Sequence, residues 1–449
     1  MPSQVTWRSF LSVEPVLLLY SYSFFMSMPL QRQYAYFRYS QATGFPYDLK
    51  EEKNMCRGGG EIRNATFVRL ENEVQEHASQ FDTSSVMCQA LPALIMGLLI
   101  GPWTDSGGRK LALMVPVLGS ILESLLTICV MHFSWPLYVI YAGKALNGLT
   151  GFFSALFQVS MSYIADISDP SQIAFRLAVM QFLIFGGGFI SQLLSGVVLS
   201  KFGFVSPMKS VLLSSTIAFL YLTLAVPESL PESKRSKTPL FTTDCLRRVS
   251  DVFRKSHGGN HRNVLVLLAV DSVFAMITMG GNGAVAMFLM RDPLCFTPTF
   301  LGYFVASKFL VEGLGGVLLM AVFKRLFTEA NVLRICMACS ALSLVVLANT
   351  HSTVMIFTVV PLISALSGPL LPSVKGMMSK MVPTEEQGSL FTGVSAVETL
   401  ARIFGAAVVN AIYVRSIDVG MPGIAFWACA VALLIPVALI SFLQKPKEE

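Results

Sequence analysis

Two pairs of oppositely charged residues interrupt long apolar stretches of this sequence. Lys308 and Glu312 are four residues apart, and so are Glu398 and Arg402. In a helix this spacing places both members of a pair on one face. Glu312 and Glu398 are therefore candidate proton carriers, because burial favours the neutral acid, and Lys308 and Arg402 are candidate binding groups for an anionic substrate. The alternative is that each pair is structural, its two charges only neutralising each other.

Further charges lie in other apolar segments. Lys375, in Pro372-Ser373-Val374-Lys375, is a candidate for anion recognition, although Lys is a point charge without the bidentate fork of Arg. The alternative is that its side chain only extends to water near the end of its helix. Glu123 has no basic residue one turn away, so Lys144 is its expected structural partner. Asp271 is expected near the inner end of its segment.

Uncharged polar and aromatic residues in the apolar stretches are candidates for lining a binding cavity. For any one of the polar residues, a hydrogen bond between helices is at least as good an explanation as contact with a ligand. Aromatic rings would offer stacking surfaces to a ligand. The candidates for substrate contact in this group are Asn147, Phe152, Gln158, Gln181, Thr278 and Asn282.

The elements that must position these residues follow from composition. Of the 449 residues, 53% are hydrophobic and 13% are charged, the latter about half of the usual 25%. So few charges cannot cover the surface of a soluble body of this size. The composition predicts an all-α protein that crosses the membrane many times, and it excludes a soluble enzyme, a disulfide scaffold and a disordered chain.

A membrane-spanning helix needs about 20 mostly apolar residues, and twelve windows qualify. Six precede a charged stretch at 227–262 and six follow it. We therefore expect an N-terminal six-helix bundle at 1–226, a cytoplasmic linker at 227–262 and a C-terminal six-helix bundle at 263–449. The predicted spans are 11–33, 83–104, 111–133, 136–164, 172–200, 206–226, 263–289, 299–323, 331–349, 353–380, 387–413 and 420–443.

Basic residues predict the orientation of the spans. The linker holds eight Lys and Arg residues, which is typical of a cytoplasmic segment. Alternating the loops from there puts fourteen basic residues inside and four outside, the first loop excepted. Both termini are therefore expected in the cytoplasm. The net charge of +6 reflects these short loops facing anionic lipid, and no nucleic-acid partner is expected.

The first outer loop, expected at 34–80, is an exception because it holds several basic residues. Asn64-Ala65-Thr66 in this loop is a glycosylation acceptor, usable only on the outer face. Cys56 in the same loop and Cys295 in another are the only two Cys predicted on the oxidising side. A disulfide between them is the natural pairing, and two free thiols are the alternative. The eight Cys show no metal-ligand spacing, so no metal site is expected.

The loop between the second and third spans carries a recognisable motif. Asp105, Gly108, Arg109 and Lys110 resemble the Asp-x-x-Gly-Arg-Lys/Arg signature of the major facilitator superfamily; a merely basic turn is the alternative. Two six-helix halves joined by a cytoplasmic linker also match that superfamily. The resemblance implies a substrate site between two halves that rock to open alternately to each side, with Asp105 pairing across the halves in one conformation only.

Several short stretches, in consistent order from about residue 13 to 443, resemble solute carrier family 46. This family includes a proton-coupled folate transporter, a thymic stromal cotransporter and a lysosomal member. The resemblance implies transport of an organic anion such as a folate, a steroid conjugate, a muramyl peptide or a cyclic dinucleotide. The stretches are Val13-Glu14-Pro15, Pro29-Leu30, Ile164-Ala165-Asp166, Pro293-Leu294-Cys295, Leu301-Gly302-Tyr303, Ser379-Lys380 and Glu386-Gln387-Gly388-Ser389-Leu390-Phe391.

Departures from the folate-transporting member of the family weaken the implied coupling to protons. Where that member has acids in its fourth and fifth spans, this chain has Phe152 and Gln181. The His of its seventh span falls at Thr278, and the Arg of its tenth span falls at Lys375. Gln181 therefore removes a carboxylate that resembles the proton-coupling group of the family. Proton coupling remains possible through Glu312 or Glu398.

The sequence as a whole predicts a transporter of an organic anion by alternating access, with or without proton coupling. A transporter-fold receptor or scaffold that binds a ligand without turnover is the alternative. An enzyme is not expected, because no nucleophile–base or metal-ligand constellation occurs among the spans. No cofactor is expected either, since the chain has no phosphate-binding GxxxxGK[ST] loop.

The expected partners are thus a small organic anion, protons and the lipid bilayer. The tail Gln444-Lys445-Pro446-Lys447-Glu448-Glu449 has no tyrosine-based or dileucine sorting signal. This favours the plasma membrane over a lysosomal or endosomal membrane, which is the alternative.

Overall fold

The protein is described by a computed structural model that covers residues 12–46, 65–168, 173–230, 232, 243–254, 261–278, 280–291, 294–350, 352–382 and 387–443. Helices are the regular elements of these residues, as the composition predicts. They are α1 Glu14–Thr43, α2 Ala65–Gly107, α3 Arg109–Phe133, α4 Tyr138–Leu149, α5 Phe152–Ile167, α6 Ile173–Phe202, α7 Val205–Leu224, α8 Thr243–Arg254, α9 His261–Thr278, α10 Asn282–Met290, α11 Pro298–Leu326, α12 Glu329–Asn349, α13 Thr353–Ala365, α14 Leu370–Lys380, α15 Gln387–Asp418, α16 Ile424–Ala432 and α17 Leu434–Ile440.

The twelve predicted spans are consistent with these helices. Nine stretches of the described residues are long and apolar enough to cross a membrane, and Ile424–Ile440 is a shorter apolar stretch. These ten coincide with predicted spans. The other two predicted spans correspond to α1, which is 30 residues long, and to the α4–α5 pair.

The fourth predicted span is divided between α4 and α5 because the backbone leaves the helical region there. Gly151 has φ +92°, and the following Phe152 has φ 56°. Positive φ costs little for Gly but is uncommon for a bulky residue. The break directs the ring of Phe152 into the interior, where the side chain is 1% exposed.

The first loop is shorter than the predicted 34–80. Helix α1 continues to Thr43 and α2 begins at Ala65, because the extra turns bury side chains. Tyr34 is buried and donates a hydrogen bond from its hydroxyl to the carbonyl of Val130 at 3.2 Å, and Val74 is fully buried. Apolar content alone missed these turns, since their sequence is mixed polar and apolar.

The helices before the linker pack mainly on one another, with α1 against α6 and α7 and α3 against α4 and α7. The helices after the linker do the same, with α9 against α15 and α12 against α13 and α16. We call these groups the N-half and the C-half. They meet through α2 against α15 and α6 against α11. Gly196 of α6 permits the second contact, because a Cβ there would collide with the backbone of Thr299.

The two ends of the molecule differ in the connections they carry. The first-loop end holds the α1–α2, α6–α7 and α10–α11 connections. The linker end holds the α2–α3 connection and the segment between α7 and α9.

A buried ion pair lies at the centre of the N-half, as expected for Glu123 and Lys144. Lys144 Nζ is 2.8 Å from Glu123 Oε1, and both residues are 4% exposed. Gln31 Nε2 donates to the same carboxylate at 3.0 Å, and Asn147 Nδ2 donates to its second oxygen. Glu123 is therefore saturated by partners from α1 and α4.

Substitution Lys144→Met should destabilise the N-half strongly. It leaves the Glu123 carboxylate buried without its counter-charge, which typically costs about 3–5 kcal/mol. Thermal unfolding in detergent should show a lowered midpoint for Lys144→Met and a smaller loss for the double variant Lys144→Met, Glu123→Met. Equal losses in the single and double variants would contradict the pairing.

Candidate functional site

Four charged side chains from three helices of the C-half interact through Glu398, and we call them the charge cluster: Asp271, Lys375, Glu398 and Arg402. Helix α9 supplies Asp271, α14 supplies Lys375, and α15 supplies the other two. Lys375 Nζ is 2.8 Å from Glu398 Oε1, and these side chains are 29% and 16% exposed. Glu398 therefore pairs with a neighbouring helix, and not with Arg402 on its own helix as the four-residue spacing suggested.

Arg402 is left without an acidic partner in ion-pair contact among the residues that the structure describes. Its guanidinium carbon lies 5.0 Å from the centroid of the Phe152 ring, which belongs to the N-half. A cation over an aromatic face is attracted by the ring quadrupole. The contact therefore holds a cation at the boundary between the halves while its hydrogen-bond donors stay available to an anion.

Asp271 is the cluster residue that the sequence interpretation did not propose as functional. It was expected near the inner end of its span, but it lies ten residues after the start of α9, or about 15 Å along the helix axis. The residue is 1% exposed and interacts electrostatically with Glu398 and Lys375. The available signal was an isolated carboxylate in the apolar stretch 263–278.

The second predicted pair, Lys308 and Glu312 on α11, is a loose contact. Lys308 Nζ and Glu312 Oε1 are 3.6 Å apart, and the side chains are 35% and 28% exposed. Leu310 and Leu314 are 44% and 45% exposed. Two residues turn a helix by about 200°, so Glu312 lies roughly opposite both leucines. If the leucines face lipid, Glu312 faces the interior of the C-half.

Aromatic rings fill the boundary between the halves near the middle of α1 and α11. The rings of Phe25 and Phe309 meet edge to face across the boundary, with centroids 4.5 Å apart. On the N-half side, Phe24 and Phe153 stack at 4.7 Å. Phe152, predicted to contact substrate, packs edge to face on Phe24 at 5.1 Å and lies beneath Arg402.

The uncharged polar candidates lie at different places. Gln158 donates through its side-chain amide to Thr392 across the halves. Gln181 is exposed on α6. Thr278 donates to the carbonyl of Phe274 on its own helix at 2.8 Å. Asn147 belongs to the Glu123 network, and the exposed Asn282 begins α10 at the first-loop end.

The motif at 105–110 forms a polar network at the linker end. Gly108 adopts φ +104° between α2 and α3. Arg109 Nε lies 3.1 Å from Asp166 Oδ2. The Glu228 carboxylate accepts the backbone N–H of Arg109 at 2.8 Å and of Lys110 at 3.1 Å, so it caps the positive end of α3.

Two acids at or near this motif differ in what the structure describes. Asp105 lies within α2, but its side chain is outside the described set. Glu228 was missed by the sequence interpretation. The signal for it was an acid in Pro227-Glu228-Ser229, directly after the sixth span.

A second polar network joins the halves at the first-loop end, and we call it the outer latch. Arg32 Nη2 lies 2.7 Å from Asp82 Oδ1. Asp82 also accepts from Asn410 Nδ2 of the C-half at 3.3 Å, and Arg32 reaches the carbonyl of Asn282 at 3.5 Å. Tyr413 donates to Gln75 at 3.4 Å beside them.

The predicted disulfide and glycosylation site of the outer face lie partly outside the described residues. Cys295 is disulfide-bonded, while Cys56, its predicted partner, lies outside the described residues. Asn64 lies outside them as well. The Cys56–Cys295 bridge and glycosylation at Asn64 therefore stay predictions.

Comparison with known proteins agrees with this architecture. Residues 74–280 match the family model of the Major Facilitator Superfamily. Two solved structures share the fold over nearly their whole lengths. The human organic anion transporter MFSD10 has a TM-score of 0.68 at 15% identity, covering 96% of this chain and 99% of that one. The D-xylose–proton symporter has a TM-score of 0.68 at 14% identity, covering 97% and 98%.

Curated relatives confirm the resemblance to solute carrier family 46. The chain is 27% identical to the proton-coupled folate transporter of Rattus norvegicus, covering 96% of this chain and 92% of the relative. It is 26% identical to the lysosomal proton-coupled steroid conjugate and bile acid symporter SLC46A3 of Gallus gallus, covering 97% and 94%.

Substitution Asp82→Asn should loosen the outer latch. It replaces a charge-assisted contact worth about 1.5–3 kcal/mol by a weaker neutral one. A Cys introduced at Ser85, which lines the neighbouring pocket, should then react with a maleimide about tenfold faster. The matched control is Glu76→Gln, because exposed Glu76 has Gln80 of the same helix as its hydrogen-bond partner in the part of the chain that the structure describes. Unchanged labelling in Asp82→Asn would show that the latch does not hold the halves together.

Proposed function

We propose that this multi-pass membrane protein, which has the major facilitator superfamily fold and is similar to solute carrier family 46 over nearly its full length, transports an organic anion by alternating access. The observation that carries the proposal is Arg402, an interior cation without an acidic partner in ion-pair contact among the described residues, held at the boundary between the halves. A buried cation is costly unless an anion or a dipole compensates it. A substrate anion would provide this compensation.

The surroundings of Arg402 favour an amphipathic anion. The cation would bind the acidic group, with Lys375 within the same cluster as a second positive charge. The neighbouring rings of Phe24, Phe153 and Phe309 would contact an apolar or aromatic body. Folates, steroid conjugates and bile acids, named for the relatives, have this chemistry, and muramyl peptides and cyclic dinucleotides stay in the candidate set.

The remaining predicted residues would take supporting roles at the same boundary. Gln158 joins the halves through a hydrogen bond to Thr392, and this bond would break when the halves separate. Gln181 and Lys308, both accessible, would meet substrate on its path. We also retain Thr278, Asn282, Asn147 and Phe152 as candidates, although hydrogen bonding or burial already accounts for each.

Alternating access requires contacts at each end that can break in turn. The outer latch ties the halves at the first-loop end through Asp82 and Asn410. At the linker end, the network of Arg109, Asp166 and Glu228 stiffens the N-half. We propose that Asp105 of the same motif pairs across the halves in one conformation.

Proton coupling would use Glu398 and Glu312. Protonation of Glu398 would remove a negative charge from beside Lys375 and Arg402, so the site would gain a positive charge that a substrate anion can compensate. Glu312 would act in the same way on Lys308. Gln181 cannot exchange a proton at the family position that it occupies, so coupling would fall to the C-half.

We further propose that the protein resides in the plasma membrane with both termini in the cytoplasm. A lysosomal or endosomal membrane is the alternative, and one relative is named as lysosomal. The Cys56–Cys295 bridge and glycosylation at Asn64 belong to the same proposal, because they need the first loop to face the oxidising side.

Substitution Arg402→Gln should weaken uptake of an anionic substrate. Loss of a charge-assisted contact of about 1.5–3 kcal/mol predicts a KM roughly ten- to a hundredfold higher. Uptake and counterflow of labelled estrone sulfate, taurocholate and folic acid should be measured in proteoliposomes. Arg334→Gln is the control, since the half-buried Arg334 lies outside the charge cluster and its hydrogen-bond partners among the described residues are Asn331 and Ser441. Binding without exchange would identify a receptor and exclude transport.

Proton coupling should appear as faster uptake at an outside pH of about 5.5 than at about 7.4, where carboxyl and histidine groups change charge. Glu398→Gln and Glu312→Gln should each reduce this ratio, because the side chain can no longer exchange a proton. Exposed Glu329, paired with Lys380, provides the control variant Glu329→Gln. Equal uptake at both pH values in the unaltered protein, unchanged in both Gln variants, would exclude coupling while leaving facilitated transport.

A further inference from the structure

Asp271 is a carboxylate in the interior of the C-half. Both of its oxygens are buried and have no hydrogen-bond partner among the described residues. Buried ionised carboxylates are normally paired and hydrogen-bonded, because removing an ion from water costs several kcal/mol in a protein. A neutral carboxylic acid costs far less in such a place.

The charged groups around Asp271 come from the helices packed against α9. Helix α15 contributes Glu398, which in turn interacts with Arg402 on the same helix, and α14 contributes Lys375. Helix α17, with the sequence LIPVALI, has no ionisable residue. Helix α8 places Val252 in the core shared with α9. The environment of Asp271 is thus one acid, one amine and one guanidinium, in an otherwise apolar core.

Glu398, on the packed helix α15, interacts electrostatically with Asp271, and two such carboxyl groups can be joined by a hydrogen bond. Neither carboxylate can donate such a bond, so the bond exists only when one of them carries a proton. Two carboxyl groups that share a site bind one proton between them, because both cannot ionise at low cost. Lys375, 2.8 Å from Glu398, neutralises the single negative charge that remains.

We infer that the proton site proposed at Glu398 is shared with Asp271, so that these two carboxyl groups together bind a proton that couples to anion transport. With all four cluster groups ionised, two acids and two bases give a net charge of zero. One proton from water, bound between the two carboxyl oxygens, raises the cluster to +1 and leaves Arg402 as the uncompensated charge. A monoanionic substrate restores neutrality. Proton and anion therefore stabilise each other's binding, which is the requirement for symport.

This inference rests on the proposed function, but its first test does not need a substrate. Infrared spectroscopy of the purified protein in lipid should show the carbonyl stretch of a protonated carboxylic acid at neutral pH, shifted in heavy water. Asp271→Asn and Glu398→Gln should each remove or displace this band. Glu329→Gln should leave it unchanged, because exposed Glu329 is paired with Lys380. Absence of the band in the unaltered protein would overturn the inference, whether or not the variants fold.

The second test measures protons moved per substrate in proteoliposomes, with a trapped pH dye and labelled estrone sulfate, taurocholate or folic acid. Asp271→Asn should reduce proton movement to background while preserving counterflow of the same substrate. If the infrared band behaves as expected and none of the three substrates moves, the proposed function fails and the shared proton stands. If protons and substrate move together but Asp271→Asn leaves the ratio unchanged, the inference fails and the function stands.

Discussion

An ionised side chain inside an apolar helix bundle needs an opposite charge beside it, and this requirement organises the interior of the protein. In the N-half it is met in full. Glu123 has Lys144, and at the linker end Glu14 has Arg176 at 2.6 Å, with both of these side chains 4% exposed. Each pair joins two different helices. The buried charges of the N-half therefore fix helix positions and leave no described ion for a ligand.

The C-half meets the same requirement only in part. Lys375 neutralises Glu398, but within the described part of the chain no group donates a hydrogen bond to Asp271, and Arg402 contacts an aromatic ring and no acid at ion-pair distance. In ionised form these two groups carry opposite charges. A proton bound at Asp271 would therefore favour an anion bound at Arg402, and the reverse. The two halves share a fold type but differ in their buried charges: those of the N-half fix helix positions, and those of the C-half are the ones for which we propose proton and anion binding.

The sequence predicted the spans well because apolar content is a local property of each helix. Partner choice is not local. The four-residue spacing of Glu398 and Arg402 suggested a pair within α15, but Lys375 from α14 is nearer. Asp271 was placed near a span end, since hydropathy does not show which face of a helix is buried. Glu123 and Lys144 were paired correctly because no competing charge lay on either helix face. Asp82 was missed because it falls between the predicted loop at 34–80 and the predicted span at 83–104, whereas the helix that carries it begins at Ala65.

The contact of Arg402 with Phe152 would connect substrate binding to the movement of the two halves. The guanidinium belongs to one half of the molecule and the ring to the other. An anionic substrate would compete with the aromatic ring for the same cation. Binding of the anion would therefore weaken a contact between the two halves. A neutral compound of similar size would leave the contact between Arg402 and Phe152 intact. The protein would then distinguish anionic from neutral compounds in the conformational change itself, because only an anion would release the contact that holds the halves together.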